Sequence, residues 1–115
     1  SGSHFFEEAE LLRRVDGNKE LAREVIAVFL SESPKLMSRV ERAVADRDAK
    51  ALQFAAHALK AALSQLSARQ AFQAALELEL MGQNEDLTGM TAVLGRLREE
   101  LERLEPDLVT VGKEP

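Results

Sequence analysis

Cysteine is missing from all 115 residues, so no disulfide framework, thiolate metal site or thiol nucleophile is available, and the fold must hold by packing alone. Tryptophan and tyrosine are also absent and there are only three prolines, a composition that sheet proteins seldom show. No apolar run approaches the roughly 20 residues that a membrane span needs, and no secretory leader precedes the first amphipathic stretch. An excess of basic residues is lacking too. Acidic side chains outnumber basic ones 20 to 15 and the formal charge is -5, which disfavours nucleic acid as a partner. Most enzymatic templates are equally absent: there is no glycine-rich phosphate loop and no paired-histidine zinc helix. Ser1, Gly2, Ser3 and His4 resemble a cloning remnant, so His4 is set aside and no second histidine remains to build a metal site.

What is present is a helix-forming composition, 45% apolar and 30% charged, rich in Ala, Leu, Glu and Arg. The length suits one domain with a single core. We expect that domain over residues 5–105, after the remnant at 1–4 and before a frayed tail at 106–115.

A short amphipathic stretch from Phe5 to Arg14, with Phe6, Ala9 and Leu12, ends at Asp16-Gly17, where glycine suits the left-handed conformation that closes helices. It predicts a packing lid. Asn18 can cap a long second helix to about Ala45, with Leu21, Val25, Val28, Phe29, Leu36, Met37, Val40 and Val44 on one broad apolar stripe. Pro34 lies inside it and predicts a kink or short break near Glu32 and Ser33. Asp48 starts a third helix whose residues Leu52, Ala56, Leu59, Leu63 and Leu66 have the spacing of a buried seam. Ser67 suits the N-cap of a fourth helix running to about Met81, with Gly82 as its stop. Asn84 then caps a fifth, with Glu85 and Asp86 in its first turn, Leu87, Met90, Leu94, Leu97, Leu101 and Leu104 inward, and Pro106 ending it. Short connections make neighbouring helices antiparallel. The fold class is therefore all-α, an up-and-down antiparallel four-helix bundle with a short extra N-terminal helix.

Within the bundle His57 is the one imidazole. It falls mid-helix, one position past the seam residue Ala56, at the boundary of core and solvent. Lys60 and Ala61 lie one turn further along the same face, Ser64 a turn beyond, and Gln53 one turn before. Such a face offers a nucleophile, a cation and otherwise small or neutral side chains, which lets a flat partner approach closely. Spacing alone does not separate this reading from a partly buried structural histidine. If the turn between the third and fourth helices falls near residue 68, positions 57 and 79 are each eleven residues from it and stand level in an antiparallel hairpin. Both Glu77 and Glu79 flank the fourth helix's apolar Leu78, and periodicity leaves the two open. The charged residues Arg96, Arg98, Glu99, Glu100, Glu102 and Arg103 are expected to form a solvated face. Phe54 and Phe72 are expected to fill the core or pack the helix hairpin rather than serve as docking aromatics.

Residues 55–68, Ala-Ala-His-Ala-Leu-Lys-Ala-Ala-Leu-Ser-Gln-Leu-Ser-Ala, resemble the signature of histidine phosphotransfer domains. Phe29, Pro34, Leu36, Asp48 and Leu52 upstream, and the pair Leu78-Glu79 downstream, extend the resemblance over residues 18–104. It implies that His57 is a phosphoacceptor, Lys60 the cation that neutralises the phosphoryl group, Gln65 a supporting polar residue, and Glu79 the carboxylate that orients the imidazole. Gln53, Ala61 and Ser64 would then form the docking face. The implied partner is the receiver domain of a response regulator, which would bring the aspartate and Mg²⁺. The chain itself would need no metal or cofactor and would act as a phosphotransfer protein rather than an enzyme. A cytoplasmic monomer without membrane contact is expected, and the resemblance implies a domain commonly placed at the end of a hybrid sensor histidine kinase. Ala61 and Ser67 depart from the family pattern, which usually has glycine at both positions. Two alternatives stand beside this reading: a degenerate or purely structural helical interaction module, and a helical domain of an enzyme whose active site lies in other sequence.

Overall fold

Two of the helices begin for a local reason that can be named, a side-chain cap. The computed structural model describes residues 8–113, which form α1 (Glu8–Arg14), α2 (Lys19–Ala45), α3 (Ala49–Ser64), α4 (Arg69–Gln83) and α5 (Met90–Gly112). Among the described residues there is no strand. Asn18 and Asp48 cap α2 and α3, each accepting a bond at 3.0 Å from the amide three residues on, Leu21 and Ala51. Asp16 and Gly17 both adopt positive φ and turn the chain out of α1.

Four antiparallel helices close a ring: α3 packs on α2 and α4, and α5 packs on the same two from the other side. Helix α1 leans on α2 and inserts Leu11 into the core. The molecule's 44 Å long axis matches α2, whose 27 residues span about 40 Å at 1.5 Å each. The expected seam of α3 is buried completely: Leu52, Ala56, Leu59, Leu63 and Leu66 all have zero exposure.

Several helix boundaries differ from the sequence expectation, some because of core packing and some because of the backbone conformation at the turns. Helix α2 runs unbroken through Pro34. A proline inside a helix costs about 3 kcal/mol, but Ile26 and Phe29 before it and Val40, Ala43 and Val44 after it are all buried. Their combined burial, roughly 1.5–3 kcal/mol for each large side chain, holds both halves in one line. The α2 stripe is also rotated from the expected one. Leu21 and Val28 face water, while the small residues Ala22, Ser33 and Ala43 take inward positions. The same contest decides the C-terminus. Pro106 does not stop α5, because Leu104 and Leu108 on either side of it are fully buried and continue the inward row to Gly112.

Ser67 is not the N-cap of α4. It takes a left-handed conformation, φ 58°, to leave α3, so the cap position passes to Ala68, which makes no side-chain bond. A glycine would adopt this φ without strain. Gly82 is not a stop either, since α4 continues to Gln83 and Asn84 closes it, which delays α5 to Met90 behind a left-handed Gly89. Gly82 instead lets two helices touch: a Cβ there would stand 2.5 Å from the carbonyl oxygen of Ala49 and 2.6 Å from the amide nitrogen of Gln53. The expectations for residues 1–4 and for Phe6 lie outside the described residues.

Gly82→Ala is therefore expected to destabilise the bundle by about 1–3 kcal/mol despite alanine's better helix propensity, because the obstructing atoms are backbone. Gly95→Ala in α5, where nothing lies within 4 Å of the added carbon, should stabilise it by about 0.5–1 kcal/mol. Thermal unfolding of the two variants checks both signs.

Candidate functional site

The buried seam of α3 fixes that helix's rotation, and His57, one residue past Ala56, is carried about 100° round to the edge of the α3–α4 groove. On α4 the fully buried Leu78 does the same for Glu79. The hairpin sets the two at one height, and His57 Nδ1 lies 2.9 Å from Glu79 Oε2. Glu79 Oε1 pairs with Lys60 Nζ at 2.7 Å. Glu77, left open by periodicity, faces the other way and pairs with Arg96 on α5.

Burial differs across this triad. The Glu79 side chain is 13% exposed and Lys60 21%, whereas the imidazole is 60% exposed. Burial pushes the Glu79 carboxyl upward, but hydrogen bonds and charge attraction from Lys60 and then His57 outweigh it and hold the group below the ordinary carboxylate range. A carboxylate only accepts, so a neutral ring facing it must carry its proton on Nδ1. The lone pair is then on Nε2, which makes no hydrogen bond among the described residues. The arrangement supplies a nucleophilic nitrogen on a rigid helix, with an anion behind it to stabilise the ring when it becomes cationic.

Not every candidate residue gathers here. Gln65 is the C-cap of α3, exposed and about 12 Å along the helix from His57, and is not brought to the imidazole. Gln53 is half-buried one turn before His57, and Ala61 is exposed one turn after it. Ser64 Oγ donates to the Ala61 carbonyl at 2.7 Å, while its own carbonyl accepts from Arg14 Nη1 at 2.7 Å, which ties α1 to the end of α3. That tie has no sequence signal, because Arg14 and Ser64 are fifty residues apart. Lys60 is closer to Glu79 than the sequence suggests: its ammonium is bound by the carboxylate, not held free. Phe72 is half-buried and packs against the core as expected, but Phe54 is 62% exposed and fills no core. The omission of Phe54 from the seam at Leu52 and Ala56 was the available signal.

Among the described residues no group of three or more His, Asp or Glu side chains is placed to hold a metal ion. No described helix is long and apolar enough to cross a membrane.

Among the described residues the four-helix bundle presents an exposed imidazole, backed by a carboxylate from the neighbouring helix. The family model for the Hpt domain matches residues 24–107, and the chain belongs to that family, whose members carry phosphoryl groups on histidine in phosphorelays. No curated protein and no solved structure matched the chain.

Because the Glu79 pKa is lower in the folded protein than its ordinary 4.5, the carboxylate contributes stability that is complete above that value. This contribution is lost as pH falls through the lowered folded pKa. Glu79→Ala should flatten that acid limb in pH-dependent melting curves and, by ¹⁵N NMR, shift the neutral His57 ring toward the Nε2-H tautomer. Glu77→Ala should leave the tautomer unchanged, and the opposite pattern would transfer the role to Glu77.

Proposed function

We propose that this domain is a phosphorelay intermediate that accepts a phosphoryl group on His57 from a receiver-domain aspartate and passes it to a second receiver. The observation that carries this reading is the His57 Nδ1 to Glu79 Oε2 hydrogen bond on an otherwise exposed imidazole. With Nδ1 protonated, the Nε2 lone pair attacks the phosphorus of the aspartyl phosphate in line. The Nε2–P bond forms as the P–O bond to aspartate breaks, the aspartate leaves as a carboxylate, and the ring is left as a cation whose Nδ1-H still faces Glu79. Transfer onward reverses these steps on another receiver. Such a reaction needs positioning and charge neutralisation more than covalent machinery, and α3 supplies the positioning.

Lys60 lies one turn from the ring, and its ammonium, held by Glu79, keeps further N–H donors that would turn to the incoming phosphoryl oxygens. The Mg²⁺ of the exchange would come with the receiver, and this chain would act without a cofactor of its own. Gln53, Ala61 and Ser64 would form the docking face, where small or neutral side chains allow close approach. We place the domain in the cytoplasm as a monomer, within reach of receivers and of a hybrid sensor kinase.

Incubation with a phosphorylated receiver should give an acid-labile, alkali-stable label on the wild-type domain and none on His57→Gln. Label that survives the substitution would remove His57 from the reaction, and a wild-type domain that takes no label would favour a structural module. Ala61→Trp should slow transfer at least about tenfold, equivalent to about 1.4 kcal/mol of transition-state stabilisation. Its melting curve should stay within about 0.5 kcal/mol of wild type, since the site is exposed. Unimpaired transfer by that variant would place docking elsewhere.

A further inference from the structure

The transfer chemistry leaves one large side chain beside His57 without a role. Phe54 precedes His57 by three residues on α3, and residues three apart share a helix face. It stands outside the seam of Leu52, Ala56, Leu59 and Leu63, and is 62% exposed. Among the described residues the other exposed large apolar side chains are Leu21 and Val28 on α2, Leu80 on α4 and Val109 on α5, and none shares a helix with His57.

Charge offers little binding energy on the same surface. From Gln53 to Ala61 the one charged residue is Lys60, and its ammonium is bound by Glu79. The rest of the face is short or neutral, so an approaching domain finds the Phe54 ring among alanines and the amide of Gln53. A domain that brings an aspartate to Nε2 must cover this ring: it lies about 4.5 Å along the helix from His57, and a docked interface of ordinary size covers roughly 800 Å² on each side. Aromatic side chains near the centre of an interface, shielded from water once docked, carry a large share of binding energy.

We infer that Phe54 is the apolar anchor for the receiver domain that exchanges phosphate with His57, and that it selects receivers with an apolar pocket beside their phosphorylated aspartate. This rests on His57 being the phosphoacceptor, and it adds a determinant of partner choice. Phe54 acts on docking and not on the reacting atoms, so its removal raises KM for the receiver and leaves the chemical step alone.

The test separates docking from chemistry. The intact domain is labelled on His57 with phosphoramidate, a small donor that needs no docking surface, and in parallel with a phosphorylated receiver over a range of receiver concentrations. Phe54→Ala is expected to raise KM for the receiver about tenfold or more with kcat within about twofold, to take phosphoramidate label at the wild-type rate, and to keep the wild-type melting temperature. Phe54→Leu should recover part of the loss, and Val109→Ala on α5 should match wild type. A wild-type KM in Phe54→Ala overturns the anchor while leaving the phosphoacceptor intact. A wild-type domain that takes no label from either donor overturns both.

Discussion

The shared carboxylate of Glu79 is the point at which packing becomes chemistry in this domain. One oxygen meets the imidazole of His57 and the other the ammonium of Lys60, so three side chains from two helices depend on one interhelical separation. That separation is set by backbone contact. Gly82, one turn after Glu79 on α4, lies against the first turn of α3 so closely that a single added carbon would meet the Ala49 carbonyl. Alanines at 56, 71, 74 and 75, all buried, keep the two helices close along the rest of the hairpin. A bulkier interface would still make a bundle, but it would move the carboxylate out of reach of the ring.

The remainder of the fold serves to keep α3 and α4 from rotating or sliding. Helices α2 and α5 close the ring behind them, and each does so across an internal proline. Breaking either helix at its proline would save about 3 kcal/mol locally. It would also misplace the buried residues beyond, Val40 and Val44 in α2 or Leu108 in α5, and the loss of even one well-packed leucine costs about 2–5 kcal/mol. Core burial wins, and the helices run through. At the far end of α3, Arg14 bonds the Ser64 carbonyl and so fastens the N-terminal helix to the one that bears His57.

The functional surface is built in the opposite way, with little that is large or charged. Its imidazole is exposed, its cation is restrained by a mostly buried carboxylate, and on α3 its neighbours are alanines and Gln53, with Phe54 the bulky exception. In the proposed relay such a surface would contribute position and a nucleophile, and the phosphoryl group and the metal would come with the docked receiver.

The amino-acid order alone determined the helical class, the α3 seam, the caps at Asn18 and Asp48, and the level placement of positions 57 and 79, because each of these follows from local spacing or from symmetry about one short turn. Local rules could not weigh distant burial against a proline, so the ends of α4 and α5 and the continuity of α2 were decided by the core. They could not choose between Glu77 and Glu79 either, since both flank Leu78 and only the positions of α3 and α5 assign one to His57 and the other to Arg96. For the same reason Gly82 passed for a helix stop and Phe54 for a core residue. Whether a glycine is a terminator or a contact point, and whether a ring faces water, depends on which backbone lies opposite, and that is a property of the assembled bundle.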